Sequence, residues 1–364
     1  MPTARIAIIG AGLSGLCAAF LLEQKGIKDY VLLEARDCLG GRIASAPATS
    51  GAQAFDRVDL GPTWFWPGYQ HQLASLVADL GLQSFEQFEV GDTVMERSPH
   101  GPPVRMRGYA NAPPSMRLVG GMAALADALH RRLDATRIHT GQAVRRLRST
   151  EHHVELDSED THGHVTTWHA GHVLLALPPR LLAHRIECVP ALPPALAQQW
   201  HATATWMAPH AKYVAVYDTP FWREQGLSGE ARSARGPLGE IHDASMPGGS
   251  AALFGFFGVP APVRQNVPDD ALRAHCRAQL VRLFGSQAAT PKAEFIKDWA
   301  LDPYTTTTAD LEGEGQHAQA PATTASSGPW SGRLTGIASE WSPQFPGYVA
   351  GAIEAASLGV AALR

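Results

Sequence analysis

The feature that most constrains this chain is a glycine-rich turn close to its start. An apolar segment, Ile6-Ala7-Ile8-Ile9, runs into Gly10-Ala11-Gly12-Leu13-Ser14-Gly15, and a helical apolar pattern follows. Gly10 permits a tight turn, Gly12 lets backbone amides approach a ligand, and Gly15 allows the helix to pack closely on the strand. Unpaired N–H groups at a helix start, at the positive end of its dipole, favour phosphates. The turn therefore predicts a dinucleotide-binding site.

The residues after this turn support that prediction. A G-x-G-x-x-G pattern alone is weak, because an ordinary strand-to-helix connection can also contain three glycines. Here a helix is predicted over 16–25, ending at Gly26, and Tyr30-Val31-Leu32-Leu33 is predicted to be a buried parallel strand. Glu34 ends that strand, 19 residues after Gly15, where an acidic side chain accepts hydrogen bonds from the ribose hydroxyls.

The next nine residues carry a resemblance to a known family. Glu34-Ala35-Arg36-Asp37-Cys38-Leu39-Gly40-Gly41-Arg42 resembles the E-A-R-x-x-x-G-G-R segment of flavin-containing amine oxidases of the monoamine oxidase type. The resemblance implies FAD rather than NAD. It also implies that Glu34, Ala35, Arg36, Gly40, Gly41 and Arg42 bind the cofactor. Arg42 has the forked donor set that suits the neutralisation of phosphate charge.

Further segments extend the resemblance along the chain. Residues 59–64, Asp59-Leu60-Gly61-Pro62-Thr63-Trp64, are similar to a stretch that passes beside the flavin ring. Val144, in the predicted strand Ala143–Leu147, matches a valine whose backbone meets adenine. Near the end of the chain, Glu340 and the run Gly347-Tyr348-Val349 match the closing segment of the family. The resemblance places Glu340 beside the ribityl and pyrophosphate, and aims the N-terminus of the last helix at the flavin.

Two residues are candidates for catalysis. Lys212 begins a segment similar to the family pattern K-x-x-x-x-[YF]-x-x-P-F-W, which ends here in Pro220-Phe221-Trp222. The resemblance implies that Lys212 holds a water against flavin N5 and assists the reaction with oxygen. The alternative is a strand-end lysine in solvent, but an ammonium on an apolar strand is costly unless it is paired. Tyr348 is implied to orient the substrate nitrogen.

The chain also departs from the family pattern. Thr308 occupies the position of the cysteine that tethers the flavin in mitochondrial monoamine oxidases, so we predict non-covalent FAD. The next residue is Ala309, where those enzymes have an aromatic wall of the substrate cage. Only Tyr348 of the usual pair remains. The candidates for a second aromatic wall are Trp64, Trp66, Trp341 and Phe345.

The predicted fold class is α/β. The resemblance implies a Rossmann-like FAD-binding domain of the glutathione reductase type (GR2), with an interleaved, reduced substrate domain built on a mixed β-sheet plus helices. We assign residues 1–80, 118–190 and 302–364 to the FAD-binding domain, and residues 81–117 and 191–301 to the substrate domain. Only residues 81–118 stand where relatives insert several helices. We therefore expect a thin roof over the substrate cavity, and either a wide opening or closure by a second subunit.

Composition narrows the remaining possibilities. The chain of 364 residues is 45% hydrophobic and 18% charged, with a net charge of −4, which argues against a nucleic-acid partner. Four scattered cysteines indicate reduced thiols, and neither a signal peptide nor a membrane tail is apparent, so we expect a cytoplasmic monomer or homodimer without membrane attachment. His162-Gly163-His164 is interpreted as a surface turn, and no metal site is predicted.

These observations predict an FAD-dependent oxidoreductase. The leading interpretation is an amine oxidase that takes hydride from the α-carbon of a small amine, with O2 as the acceptor and H2O2 as a product. One alternative is a flavin desaturase or dehydrogenase that uses an acceptor other than oxygen, which the change at Ala309 permits. Another is a flavin-binding protein without turnover, because fold does not dictate function.

Overall fold

The chain forms two compact units in the computed structural model. The structure describes residues 1–98, 100–312 and 319–363. The first unit comprises Met1–Arg42, Leu125–Ala208 and Asp302–Arg364, and the second comprises Ile43–Ala124 and Pro209–Leu301. These bounds reflect packing. The predicted division into cofactor and substrate domains concerns ligands and stays a prediction. Residues 99, 313–318 and 364 of that prediction lie outside the described residues.

The strands and helices of the described residues follow in chain order. The strands are β1 (Thr3–Ile9), β2 (Tyr30–Leu33), β3 (Ser45–Pro47), β4 (Arg57–Asp59), β5 (Ser84–Glu86), β6 (Asp92–Glu96), β7 (Val104–Met106), β8 (Met116–Leu118), β9 (Ile138–His139), β10 (Ala143–Ser149), β11 (Val154–Glu159), β12 (Val165–Leu175), β13 (Glu187–Val189), β14 (Ala211–Tyr217), β15 (Leu227–Ser233), β16 (Leu238–Asp243), β17 (Ala251–Phe257), β18 (Ala293–Asp298) and β19 (Leu334–Gly336). The helices are α1 (Leu13–Gln24), α2 (His71–Asp79), α3 (Ala123–His130), α4 (Pro179–Arg185), α5 (Pro194–Ala202), α6 (Phe221–Glu224), α7 (Ala261–Arg264), α8 (Asp269–Phe284), α9 (Thr308–Leu311) and α10 (Val349–Ala361).

The first unit is built on a mixed sheet. Its strand order is β13-β10-β11-β12-β1-β2-β9, and β19 also pairs with β12. The pairs β9-β2, β2-β1, β1-β12 and β12-β19 are parallel, whereas β10, β11 and β12 form an antiparallel meander. The long strand β12 joins the parallel part of the sheet to the antiparallel part, because its first half pairs with β11 and its second half with β1. This arrangement confirms the predicted Rossmann-like α/β fold class.

The parallel part of this sheet is buried on both faces. Residues 6–9 of β1 and all four residues of β2 are buried, as expected for strands covered by helices. Helix α1 is apolar around most of its circumference, with nine buried residues, and it packs against α10. The predicted β–α–β order at the start of the chain is therefore confirmed, with α1 beginning at Leu13 rather than at residue 16.

The second unit contains a separate seven-stranded sheet. Its order is β18-β14-β17-β16-β15-β6-β7, and two small antiparallel pairs, β3-β4 and β5-β8, accompany it. Strand β14 lies between β17 and β18 and is buried along its whole length. Helix α8 covers part of this sheet through Leu272, Leu280 and Phe284. This sheet therefore presents Lys212, the second residue of β14, to the interior of the second unit.

Helices long and apolar enough to cross a bilayer are not found among the described residues.

Candidate active site

The turn between β1 and α1 needs glycine at two of its three motif positions for steric reasons. Gly10 has a φ of +99°, and a Cβ atom there would lie 2.8 Å from the carbonyl oxygen of Ala176. A Cβ atom on Gly15 would lie 1.9 Å from the carbonyl oxygen of Gly10. On Gly12, by contrast, the nearest atom would be the Cα of Gly41 at 3.8 Å. The fold therefore dictates Gly10 and Gly15, whereas Gly12 leaves space beside the backbone.

The start of α1 offers donors to an anion. Gly12 is the residue before the helix, and no side chain caps the first turn. The first N–H groups of an α-helix have no acceptor within the helix. The first turn also contains no acidic residue that would repel a phosphate. This helix start can therefore hold the pyrophosphate of a dinucleotide, as the sequence predicts.

Glu34 lies at the end of β2 beside this turn. Its side chain is buried, and Oε2 accepts a hydrogen bond of 2.7 Å from the backbone N–H of Ala11. Oε1 accepts one of 2.9 Å from the backbone N–H of Arg36. The carboxylate is thus fixed by two backbone donors. It lies at the carboxyl edge of the parallel strands, where a ribose is bound in folds of this type.

The Gly-Gly pair approaches the first turn directly. The N–H of Gly40 donates to the carbonyl oxygen of Ala11 over 2.9 Å. Gly41 has a φ of +60°, and a Cβ atom there would lie 3.0 Å from the Cα of Gly12. Two loops distant in sequence therefore form one cradle, and glycine is needed where their backbones meet.

Arg42 and Glu340 form an ion pair with each other. The Arg42 guanidinium donates to both oxygens of Glu340, over 2.5 and 3.0 Å, and to Ser339 Oγ over 3.2 Å. Glu340 is almost fully buried. The sequence predicts both residues as cofactor contacts without predicting this pair. Because the Glu340 carboxylate occupies the guanidinium of Arg42, the positive charge of Arg42 is largely balanced. The pair also holds the Arg42 side chain in one orientation.

Arg36 ties a distant segment of the first unit to the cradle. Its guanidinium donates to Asp302 Oδ1 over 2.5 Å and lies 5.3 Å from the ring centre of Tyr304. Ala35 lies between Glu34 and Arg36 in the same loop, and Val144 lies in β10 at a register shift between residues 144 and 146. These placements put the predicted contacts in one unit with the cradle, and their role toward the cofactor stays a prediction.

The segment before α10 is fixed by a buried carboxylate. Glu354 accepts hydrogen bonds from Ser342 Oγ and, over 3.1 Å, from the N–H of Gln344. A Cβ atom on Gly351 would lie 2.0 Å from the carbonyl oxygen of Phe345. Tyr348 is the residue before the helix, and Val349 is its first residue. The start of α10 is therefore rigidly placed, with an uncapped first turn like that of α1.

The ring partner of Tyr348 is a residue that the sequence analysis missed. Trp206 lies with its ring centre 5.2 Å from that of Tyr348, at an angle of 49°. Asp310 holds the segment before Trp206 by accepting from the N–H of Thr205 over 3.0 Å, and it also caps α9 through Thr307. Trp206 lies in a loop with no family motif around it. Its only sequence signal is that an aromatic residue stands in the loop between α5 and β14.

Two of the candidates for the second aromatic wall, Trp341 and Phe345, lie in the first unit. Trp341 is 1% exposed, packs edge-on against Trp200 and donates to the carbonyl oxygen of Ala322. The ring is therefore enclosed in the core of the first unit, and a role for Trp341 as a substrate wall stays a prediction. Phe345 is partly exposed, and its role stays a prediction.

Lys212 is buried in the second unit and fully hydrogen-bonded. Its Nζ lies 2.6 Å from the carbonyl oxygen of Gly61, 3.2 Å from that of Asp59 and 2.8 Å from Thr63 Oγ1. It also lies 4.3 Å from the ring centre of Phe254. The solvent-exposed alternative is therefore excluded. All three partners of the amine belong to the segment 59–64, which also contains Pro62. From the sequence, only the family resemblance relates this segment to Lys212.

The electrostatic environment of Lys212 favours its neutral form. Burial lowers its pKa from the ordinary 10.5 to about 7; the negative charge of Asp59 opposes this shift, and the positive charge of Arg117 adds to it. Arg117 is itself buried and donates to the carbonyl oxygens of Ala244 and Ser245. Burial also raises the pKa of Asp59. The lysine can therefore gain or lose a proton near neutral pH, a property typical of functional lysines.

Trp64 and Trp66 line a pocket of about 180 Å³ in the second unit. Trp64 packs against Phe254, the ring that Lys212 contacts, and its Nε1 donates to Gln87 over 2.8 Å. Trp66 Nε1 donates to Ser115 over 3.0 Å. The remaining lining includes four carboxylates and one arginine: Glu89, Glu230, Glu240, Asp243 and Arg232. The lining of the pocket thus combines aromatic and acidic side chains.

The histidines of the predicted surface turn lie between β11 and β12. His164 is 79% exposed in its side chain, and its ring nitrogen lies 3.1 Å from Asp160.

Cys17 and Cys276 are buried, and burial raises the pKa of the Cys17 thiol to about 12. Thr308 begins α9 in the first unit.

The fold and this geometry agree with comparisons to known protein families. The family model described as flavin containing amine oxidoreductase matches residues 103–363, and that of an NAD(P)-binding Rossmann-like domain matches residues 8–80. The first match covers more than half of the sequence. The chain therefore belongs to the flavin-containing amine oxidoreductase family.

The sequence identity to individual curated relatives is low. The chain is 27% identical over 250 residues to a probable flavin-containing monoamine oxidase A of Dictyostelium discoideum, covering 65% of this chain and 51% of that protein. It is 28% identical over 205 residues to the putrescine oxidase of Kocuria rosea, covering 52% of this chain and 41% of the relative. The chain thus matches about half the length of these curated relatives.

Solved structures show the same fold over nearly the whole chain. A putrescine oxidase bound to putrescine superimposes with a TM-score of 0.80 at 21% identity, covering 99% of this chain and 98% of that one. Cyclohexylamine oxidase from Brevibacterium oxydans IH-35A gives a TM-score of 0.80 at 19% identity, covering 100% and 99%. At this level of identity, the likeness establishes the fold alone.

The pKa of Lys212 leads to a prediction about stability. Between pH 7 and 10.5 the unfolded chain binds a proton on this lysine that the folded protein largely lacks, so the free energy of unfolding should rise with pH there. The contribution reaches about 1.4 kcal/mol per pH unit for one proton. Chemical denaturation at pH 7.5 to 9.5 should give a steeper slope for the wild type than for Lys212→Met. Equal slopes would show that the buried amine stays protonated.

Proposed function

We propose that this protein is an FAD-dependent amine oxidase with a non-covalently bound cofactor. The observation that carries the proposal is the uncapped start of α1 beside the buried carboxylate of Glu34. Anion donors and a ribose acceptor thus lie together in one cradle. Membership of the flavin-containing amine oxidoreductase family supports the choice of cofactor and reaction.

The residues of the cradle fit FAD. Gly12, Leu13, Ser14 and Gly15 form the helix start that would receive the pyrophosphate, and the space at Gly12 is the space that a phosphate requires. Glu34 would accept hydrogen bonds from the ribose hydroxyls. The start of α10 at Val349 supplies a second positive helix end, which favours negative charge on a flavin ring.

Lys212 is proposed to act in the oxygen half of the reaction. FAD held in the cradle would supply the redox chemistry, as the acceptor of hydride from the substrate carbon and the donor of electrons to an acceptor. With a pKa lowered to about 7, the Lys212 amine is partly protonated at neutral pH in a buried, aromatic environment. A positive charge in such surroundings favours the reduction of oxygen more strongly than it would in water. Gly61, Pro62, Thr63 and Trp64 are proposed to line the same part of the cofactor.

Tyr348 and Trp206 are proposed as the two aromatic walls for the amine. Their rings lie 5.2 Å apart between centres, and both residues are partly exposed. A tryptophan face attracts cationic or partly positive nitrogen more strongly than other aromatic rings do. Trp206 would then supply the aromatic face that Ala309 lacks. Asp310 orders both α9 and the segment before Trp206, which connects the two positions structurally.

The pocket at Trp64 and Trp66 favours a positively charged substrate. Four carboxylates and a single arginine line it, and Asp243 is already paired with Arg223 over 2.8 Å. The remaining acidic charge attracts cations, and the tryptophan faces add cation–π attraction. Small amines that carry an ammonium group fit this chemistry. The acceptor O2, a cytoplasmic location and a monomeric or homodimeric state remain predictions.

Amine oxidation is tested with Lys212→Met and the matched control Lys297→Met. Lys297 lies directly opposite Lys212 on β18, so the control makes the same change one strand away. We expect amines to reduce the flavin of both variants anaerobically. Reoxidation in air should slow about a hundredfold in Lys212→Met alone, since a positioned group that stabilises developing charge has an effect of that order. Stopped-flow absorbance and peroxide release measure both half-reactions.

Three outcomes would redirect this assignment. Unchanged reoxidation in Lys212→Met would remove the lysine from the oxygen reaction. Fast reduction by amines with slow reoxidation in the wild type would favour the dehydrogenase alternative, with another acceptor. Flavin that stays oxidised with every amine tested would favour the non-catalytic alternative.

The aromatic wall is tested by Trp206→Ala, with Trp206→Phe as the matched control. An aromatic contact of this kind is worth about 0.5–1.5 kcal/mol, so kcat/KM for the best amine should fall roughly two- to tenfold in the alanine variant. The phenylalanine variant should retain most of the activity. Flavin content should be unchanged in both variants. If Tyr348→Ala lowers kcat/KM and Trp206→Ala does not, Trp206 is only a packing partner.

A further inference from the structure

A cluster of two imidazoles and one carboxylate lies on the sheet of the first unit, among residues that the cofactor site does not use. His153 immediately precedes β11, Glu155 is two residues further on, and His169 of β12 is directly opposite Glu155. Side chains two residues apart on a strand share a face, and directly opposite residues are close neighbours. Val154 and Leu156 point into the core, so the three polar side chains converge on the other face.

The distances within this cluster match a metal site. The ligand atoms of His153, Glu155 and His169 all lie within 4.8 Å of one another. His153 Nε2 is 3.6 Å from Glu155 Oε1, and the two imidazole rings are stacked with centres 4.3 Å apart. A tetrahedral ion with bonds of about 2.1 Å holds its ligand atoms about 3.4 Å apart. Binding of one ion by the three atoms therefore requires side-chain rotations that shorten these separations.

The hydrogen bonding of these residues leaves the ligand atoms available. Nε2 of His153 and Nε2 of His169 are both buried, and neither has a hydrogen-bond partner among the described residues. Buried polar atoms without partners are uncommon and call for a physical explanation. Arg148 bonds Oε2 of Glu155, and Oε1, the oxygen that faces His153, stays available. A hydrogen-bonded second oxygen is also the usual arrangement for a carboxylate that ligates a metal.

We propose that His153, Glu155 and His169 form a binding site for a divalent transition metal, with Zn²⁺ as the best-fitting ion. Two imidazoles and one carboxylate, with a water in the fourth position, form a donor set typical of zinc. Imidazole ligands disfavour Mg²⁺ and Ca²⁺, which take oxygen donors. The ion joins β11 to β12, so its binding stabilises the folded first unit.

The test uses the flavin-loaded protein with any affinity tag removed and Zn²⁺ as the probe. Calorimetric titration should show saturable binding of Zn²⁺ at this site, and the melting temperature should rise with Zn²⁺ concentration. His169→Ala should weaken that binding at least as much as the roughly tenfold to hundredfold loss typical of outer-shell changes. Co²⁺ in place of Zn²⁺ should give the visible absorption of a four-coordinate site. Mg²⁺ should produce none of these effects.

A matched histidine control separates this site from surface binding. His162 and His164 lie in the exposed turn of the same hairpin, so the double variant His162→Ala, His164→Ala should keep the binding and the melting shift. His169→Gln keeps a polar side chain and replaces the alanine variant if that variant is not folded by circular dichroism. Equal Zn²⁺ affinity in the wild type and the His169 variant, or no saturable binding in the wild type, would overturn the proposal.

Discussion

The close contact between the start of α1 and the end of β1 is the constraint on which the first unit depends. Only a residue without Cβ at position 15 lets the helix approach the carbonyl oxygen of Gly10. That approach brings the uncapped helix start to the carboxyl edge of the parallel strands, beside Glu34. The Gly40-Gly41 loop can then meet Gly12 from the other side. Every proposed cofactor contact of the first unit is positioned relative to this turn.

A second feature of the structure is that its buried charged side chains are hydrogen-bonded to partner groups. Arg42 and Glu340 are paired through two hydrogen bonds, and Asp310 accepts from Arg180, Thr205 and Thr307. Lys212 instead has two carbonyl oxygens and one hydroxyl around it. Neutral partners stabilise an ammonium less than a carboxylate does, so burial lowers the pKa of this lysine. The structure thereby distinguishes a group available for proton chemistry from groups that hold the fold.

Local sequence signals predict the start of the chain well, because strand, turn and helix there are each specified by neighbouring residues. By contrast, β15 and β16 contain Gly229, Glu230 and Glu240, and their place in the second sheet depends on pairing with strands distant in sequence.

The candidate site likewise contains residues that local sequence patterns predict and residues that depend on distant contacts. The motif glycines, Glu34 and Lys212 are found from sequence patterns, because their spacing is local. Trp206 is not, because it reaches Tyr348 only through the folded loop that Asp310 holds. The enclosure of the Trp341 ring in the core is likewise not indicated by the position of this residue next to Glu340 in the sequence. Tertiary contacts decide both cases, and a single sequence does not contain them explicitly.

The central claim is that the chain holds FAD, without a covalent bond, in the cradle around Gly12. The most direct measurement is the absorbance of the FAD-reconstituted protein, followed by acid precipitation and analysis of the supernatant. The account predicts a yellow protein that releases its flavin into the supernatant. It also predicts a folded but colourless Gly12→Ala variant, because a Cβ there meets only ordinary contacts within the protein while filling the space of a phosphate. A wild type that takes up no FAD, or a variant that retains it fully, would contradict the account.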